Sequence, residues 1–264
     1  MSKKLPKLCC LLLLAGFVAA SSAAAAQFSV DTSKVEATLK AGKTKKLKIK
    51  LINYEEIPLR IKAYVRDVRL APDGSPDFFD LGSTPWSLKE FGIQPASDFI
   101  LPARYFKYVN FEITVPANAR GGHYGAVLFE GEPRTKSVKG GGSVNTIFRI
   151  ASLLYVQVKG TTETMAKIQD FKAWREGGKV KARLSVENDG NVLIRPQGQV
   201  RFPKCAAGAP GQNVNPSKLP LLPGASAQYA LDWPDQAIST GACEGAVELD
   251  YGGAEILGAR TNLD

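Results

Sequence analysis

The chain holds a single histidine, His123, and that limits the chemistry open to it. A Ser-His-Asp relay needs an imidazole to carry the proton. His123 falls between glycines at the start of a predicted strand, where a surface or turn role fits better than catalysis. No H-E-x-x-H pattern, phosphate-cradling glycine loop or C-x-x-C pair occurs. Glu55 and Glu56 adjoin at a turn, where neighbouring carboxylates are solvated, and nothing else marks them as a glycosidase pair. A metal centre would need more ligands than Cys205 and Cys243 offer, since His123 lies far from both in sequence. The expectation is no catalytic residue, no cofactor and no metal.

Residues 1–26 carry the layout of a cleaved signal peptide. Lys3, Lys4 and Lys7 precede an apolar stretch of 13 residues, Leu8 to Ala20, and Ala24 and Ala26 supply the small pair a signal peptidase accepts. The stretch is too short to span a bilayer, and no other apolar run of membrane length follows, so the chain is expected to be exported and free of a membrane span. Cys9 and Cys10 leave with the leader. The remaining cysteines, Cys205 and Cys243, then form one disulfide in an oxidising compartment, closing a loop of about 40 residues and stabilising by roughly 2–4 kcal/mol. Loss of the three leader lysines lowers the formal charge from +9 to +6. Lys46, Lys48 and Lys50 alternate along one segment, which reads as a solvated strand face. No aromatic-interleaved basic segment is present in the linear sequence, so no nucleic acid is expected as a partner.

Period-two alternation dominates the rest. Leu47, Ile49 and Leu51 alternate with lysines; Val109, Phe111, Ile113 and Val115 alternate with Tyr108, Asn110, Glu112 and Thr114; and Val180, Ala182, Leu184 and Val186 alternate with polar residues. Each segment predicts a strand with one buried face. A faint internal repeat, an alternating strand followed by Asn53 and again by Asn188, predicts one architecture used twice. The fold class is therefore all-β, with two immunoglobulin-like β-sandwich domains over 27–160 and 161–264 after the signal peptide.

Pro116 to Phe129 carries the most specific local signal. Tyr124 is expected at the corner of a sandwich, its ring in the core and its hydroxyl on the preceding loop, while Ala126 stands where antibody domains place a cysteine. Trp86 is read as a core plug sealing a sandwich end, the alternative being an exposed contact for a partner or sugar. A loop over 132–142, ending in Gly140, Gly141 and Gly142, is expected to be mobile. It leads into a last strand, Val144 to Val158, apolar on both faces. Phe148, Ile150, Leu154, Val156 and Val158 line one face, and Ile147, Ala151, Leu153 and Tyr155 the other. Such a strand is either central or awaiting a partner.

Ser29 to Lys34, the Pro116 to Phe129 turn and strand, and a glycine-rich loop before a long last strand together resemble the periplasmic pilus-assembly (fimbrial) chaperones, over roughly residues 28–160. The resemblance implies binding of a pilin-like exported subunit by β-strand addition, with Phe148, Ile150, Leu154 and Val156 as the donated side chains. It also implies that Lys34, where the family has arginine, holds a subunit carboxylate, whereas Tyr155 replaces the family's second basic residue. An ammonium pairs with a carboxylate but lacks the bidentate fork. Trp86 to Leu101 with the following strand and turn also looks like the ectodomains of WxL-interacting surface proteins. Those bind a surface protein and the cell wall, and typically end in a membrane anchor that this sequence lacks. The expectation is thus a non-enzymatic periplasmic chaperone. Its alternative is an envelope structural or adhesion protein binding peptidoglycan or a surface protein.

Overall fold

The computed structural model describes residues 28–264 apart from 96, 139–141, 204, 206–209 and 240–242; for 133–146 only the backbone pairing is described. The expected signal peptide, with Cys9 and Cys10, and the glycines Gly140 and Gly141 lie outside the described residues. Among the described residues sixteen strands make four sheets, packed as two β-sandwiches.

In the first sandwich the strands are β1 (Phe28–Val30), β2 (Lys34–Leu39), β3 (Thr44–Asn53), β4 (Leu59–Leu70), β5 (Pro76–Phe79), β6 (Asp98–Leu101), β7 (Phe106–Thr114), β8 (Gly122–Val138) and β9 (Gly142–Val158). One sheet has the order β1-β3-β7, and the other β2-β9-β8-β4-β5, with β6 also on β4. The alternation read in β3 and β7 sets their faces. Ile49, Leu51, Val109, Phe111 and Ile113 point inward, meeting Ile61, Ala63, Val127, Phe129, Leu154 and Val156 from the facing sheet. At roughly 25 cal/mol per Å² of buried apolar surface, such interdigitated faces supply most of the drive to fold.

The second sandwich pairs β10 (Ala166–Glu176), β11 (Lys179–Asn188) and β14 (Ser226–Pro234) against β13 (Gln212–Val214), β12 (Gln197–Arg201), β15 (Glu244–Asp250) and β16 (Leu257–Asn262), in those sheet orders. Val180, Ala182, Leu184, Val186, Val200, Trp233 and Leu249 form its core. Cys205 and Cys243, 38 residues apart, are joined by a disulfide beside that core, with their Cα atoms 5.8 Å apart.

The internal repeat has a physical basis. Asn53 ends β3 and Asn188 ends β11, and both are buried. The Asn53 amide donates to the carbonyls of Ile57, Leu101 and Pro102 while its Oδ1 accepts the Glu55 N–H. The Asn188 amide donates to Val192 and Leu221, and its Oδ1 accepts the Gly190 N–H. In each sandwich one buried amide thus ties the end of a strand to carbonyls of the segments that follow or face it, and is itself fully hydrogen-bonded.

The loop expected over 132–142 is instead largely strand. β8 runs on to Val138 and stays paired with β9, Lys136 opposite Val144 and Val138 opposite Gly142. Backbone pairing along a hairpin extends a ladder through residues whose side chains carry no apolar alternation, the signal by which strands were recognised.

Among the described residues no helix is long and apolar enough to cross a membrane, and no group of three or more potential metal ligands occurs.

Candidate functional site

β9 has two unlike edges. Its inner edge is paired with β8 from Gly142 to Gln157. On the other side, β2 pairs in parallel with Leu153 to Val158 only, Lys34 lying opposite Leu153. Before that point the chain swings away, so that Phe28 to Val30 pair with β3 in the opposite sheet. The crossing is pinned by Ser152, whose buried hydroxyl donates to the Thr32 carbonyl at 2.6 Å. Among the described residues no strand pairs with the outer edge of β9 ahead of Leu153.

The backbone orientation on that open edge follows from the bonds beyond it. The Leu153 N–H donates to Ser33 and the Lys159 N–H to Leu39, both on the β2 side, whereas the Val158 N–H donates to Gly121, on the β8 side. Odd-numbered residues therefore turn their amides outward. The register is unbroken between Phe148 and Val158, so the N–H and C=O of Arg149 and Ala151 also face the open edge.

The four apolar residues singled out from sequence divide at the same point. Leu154 and Val156 are buried at 0% and 1% exposure, inside the core and beneath an occupied edge. Their assignment as donated side chains is corrected: they complete this sandwich, because β2 covers that stretch and the facing sheet packs upon it. Phe148 and Ile150 are only half-buried at the margin of the core, beside the open edge, and their neighbour Ile147 is exposed.

Lys34 opens β2 at the seam between the sandwiches. Its Nζ lies 2.8 Å from Glu36 Oε1 and 5.8 Å from the centroid of the Tyr155 ring. Arg195, from the second sandwich, donates to the same Glu36 oxygen at 2.8 Å. Glu36 and Arg195 border a cleft of about 140 Å³ that Tyr124, Tyr155, Gln157 and Leu193 also line. The hydrogen bond from Lys34, with Arg195 adding its charge, holds the Glu36 carboxyl below its ordinary value despite some burial. Neither Glu36 nor Arg195 was singled out from sequence. Glu36 is two residues from Lys34 on the same strand face, a signal that was available. Arg195 is 159 residues away from it, with no local signal.

Tyr124 departs from its expected bond. Its ring is fully buried, but its hydroxyl accepts the Leu193 N–H at 2.5 Å, across the seam and not on the preceding loop. Burial pushes its pKa to about 12, against the lowering effect of that amide. Val68, Tyr155, Leu193 and Leu222 pack around it. Gly122 is required beneath the ring, because a Cβ there would collide with the hydroxyl. Trp86 stacks edge-on to Tyr124 at 6.4 Å and donates to the Val68 carbonyl at 3.1 Å, so its partly buried ring packs at the seam with Tyr124, Leu193 and Leu222 and not within the core of the first sandwich. It is held there by the buried Asp67 carboxylate, which accepts the amides of Gly82, Ser83 and Thr84 and the Ser87 hydroxyl. His123 is half-buried against Phe91, each ring nitrogen 3.1 Å from a carbonyl oxygen, of Ser87 and Arg120.

No protein-family model matches the sequence, and a comparison with curated proteins gives no match either. Among solved structures the chain is similar to the class 5 fimbriae chaperone CfaA, at 15% identity and a TM-score of 0.47, over 90% of this chain and 99% of that one. It is similar to an entity described as the Salmonella enterica SafA pilin in complex with the SafB chaperone, at 14% identity and a TM-score of 0.41, over 89% and 96% of the two chains. The E. coli chaperone DraB is similar at 14% identity and a TM-score of 0.43, over 88% and 95%.

Proposed function

We propose that this protein is a non-enzymatic periplasmic chaperone that holds an exported, pilin-like subunit by adding β9 to the subunit's incomplete sheet. The observation that carries the reading is the half-open strand. Arg149 and Ala151 turn backbone donors and acceptors to an edge that no strand covers among the described residues. Phe148 and Ile150, on the same stretch, keep apolar surface beyond what their own core takes up. Backbone bonding supplies affinity in strand addition, and alternate side chains supply register.

Lys34 marks the lower limit of the added strand. It faces Leu153, so a partner strand running down the open edge meets β2 there. A partner's terminal carboxylate reaching the cleft has to displace Glu36 from Lys34 and Arg195, which makes that contact secondary to the edge.

The test is co-expression of the full chain with its candidate subunit in the periplasm, followed by purification of the complex. Ile150→Asp is expected to abolish stoichiometric capture while costing less stability than a change at a fully buried position, since Ile150 is half-buried at the margin of the core; the thermal unfolding midpoint is measured alongside to show that the chain stays folded. Retained capture by a folded Ile150→Asp chain overturns the reading.

A further inference from the structure

The outer face of the β1-β3-β7 sheet, away from the open edge of β9, carries a second surface. Along β3, Lys46, Lys48 and Lys50 point out where Ile49 and Leu51 point in; along β7, Phe106 and Tyr108 point out where Val109 and Phe111 point in. The antiparallel register sets Lys50 opposite Tyr108 and Lys48 opposite Asn110. Lysines and rings that are some 60 residues apart in sequence therefore interleave on one flat face. The Lys50 ammonium lies 4.2 Å from the Phe106 centroid and that of Lys48 5.0 Å from the Tyr108 centroid. Tyr105 stacks on Phe106 at 4.8 Å, and Tyr54, Tyr105, Phe106 and Tyr108 are all exposed.

Charge on this face is one-sided. Glu112 is the acid of the two strands, and it pairs with Lys46. Asp31 accepts the backbone N–H of Lys50, not its ammonium. Lys48 and Lys50 form no salt bridge among the described residues; ring faces are their neighbours. A ring face tolerates a cation at a gain of only about 0.5–1 kcal/mol at exposed sites, which leaves both ammoniums available to an anion.

We propose that this face binds an anionic polysaccharide, the lysines pairing with its carboxylates while the exposed rings of Tyr105 and Tyr108, with Phe106 packed between them, lie against its sugars. Charge complementarity requires the occupant to be an anion. A protein partner fits less well, because lysine is depleted from the buried centres of protein interfaces, where here it alternates with the rings. A lipid surface fits less well too, since a flat sheet with its ammoniums lying over the rings lacks the deep one-sided apolar face that seats in a bilayer. This inference is independent of the strand-addition reading, which uses a different edge and different residues.

The experiment is calorimetric titration of the mature chain at low ionic strength with sodium polygalacturonate, with neutral dextran, poly-L-glutamate and phosphatidylglycerol vesicles as further arms. Polygalacturonate is expected to bind at least about tenfold tighter than any of the other three. Lys48→Gln with Lys50→Gln, and separately Phe106→Thr with Tyr108→Thr, are each expected to weaken it by about tenfold, with unfolding midpoints checked to show that the sheet persists. Equal binding of poly-L-glutamate or of vesicles, no binding of polygalacturonate, or unchanged affinity in the folded aromatic variant overturns the proposal.

Discussion

The two halves of β9 share one inner neighbour and one apolar alternation, yet they differ in what lies on the other edge. From Leu153 to Val158 the strand is sandwiched between β8 and β2, and Leu154, Val156 and Val158 disappear into the core. Ahead of Ser152 the same alternation continues with Phe148 and Ile150, but β1 has crossed to the other sheet and no strand covers the edge among the described residues. Occupancy of the edge, and not side-chain type, separates the stretch buried in this core from the one we propose is offered to a subunit.

Substitutions should expose that difference by their opposite signatures. The largest expected effect is Leu154→Ala, which removes a fully buried side chain and should cost about 2–5 kcal/mol in chemical denaturation, with capture of a subunit retained by whatever fraction stays folded. Ile150→Asp should do the reverse. Equal destabilisation by both would erase the distinction.

A second comparison sets the two sandwiches side by side. The second is stapled by Cys205 and Cys243, whereas the first has buried Ala126 at the position an immunoglobulin disulfide would use and relies on packing. Cys205→Ser together with Cys243→Ser should cost about 2–4 kcal/mol, read as early unfolding of the second sandwich with the edge of β9 unaffected. Loss of subunit capture in that variant, with the first sandwich folded, would show that the edge depends on the second unit.

The seam gives smaller effects. Tyr124→Phe removes the acceptor for the Leu193 N–H while keeping the ring, and should cost about 1 kcal/mol or somewhat more, since a buried donor is left without its partner. Glu36 is exposed enough that its bonds to Lys34 and Arg195 are screened, so Glu36→Gln should cost less than about 1 kcal/mol. Its sign with pH is defined. The folded carboxyl titrates below its ordinary value of 4.5, so the contribution is complete above 4.5 and is lost as pH falls through the lowered value. Acid unfolding curves of Glu36→Gln and the unaltered chain should therefore converge at low pH.

Much of the fold was legible because burial of one strand face leaves a period-two trace. Leu47 to Leu51, Val109 to Val115 and Val180 to Val186 carried it, and two cysteines in a chain expected to be exported carried the disulfide. What was illegible is long-range. Nothing near Leu154 records that Lys34 to Leu39 returns to cover it, so Leu154 and Val156 could not be told from Phe148 and Ile150. Hydrogen bonding across the seam likewise leaves no local mark, which is why Tyr124 was expected on its own loop and Arg195 was missed. The arm of β8 beyond Glu132 lacked alternation and read as loop, although its backbone is paired. Lys48 and Lys50 meet Phe106 and Tyr108 only once β3 and β7 are placed in register, which a scan for linear basic-aromatic segments cannot see.

The open edge itself can be measured directly by amide hydrogen exchange along β9. In the isolated chain the amides of Arg149 and Ala151 should exchange at least about a hundredfold faster than those of Leu153 and Tyr155, and binding of the co-expressed subunit should slow the first pair and leave the second unchanged. Arg149 and Ala151 as protected as Leu153 in the isolated chain, or unchanged in the complex, would contradict the account.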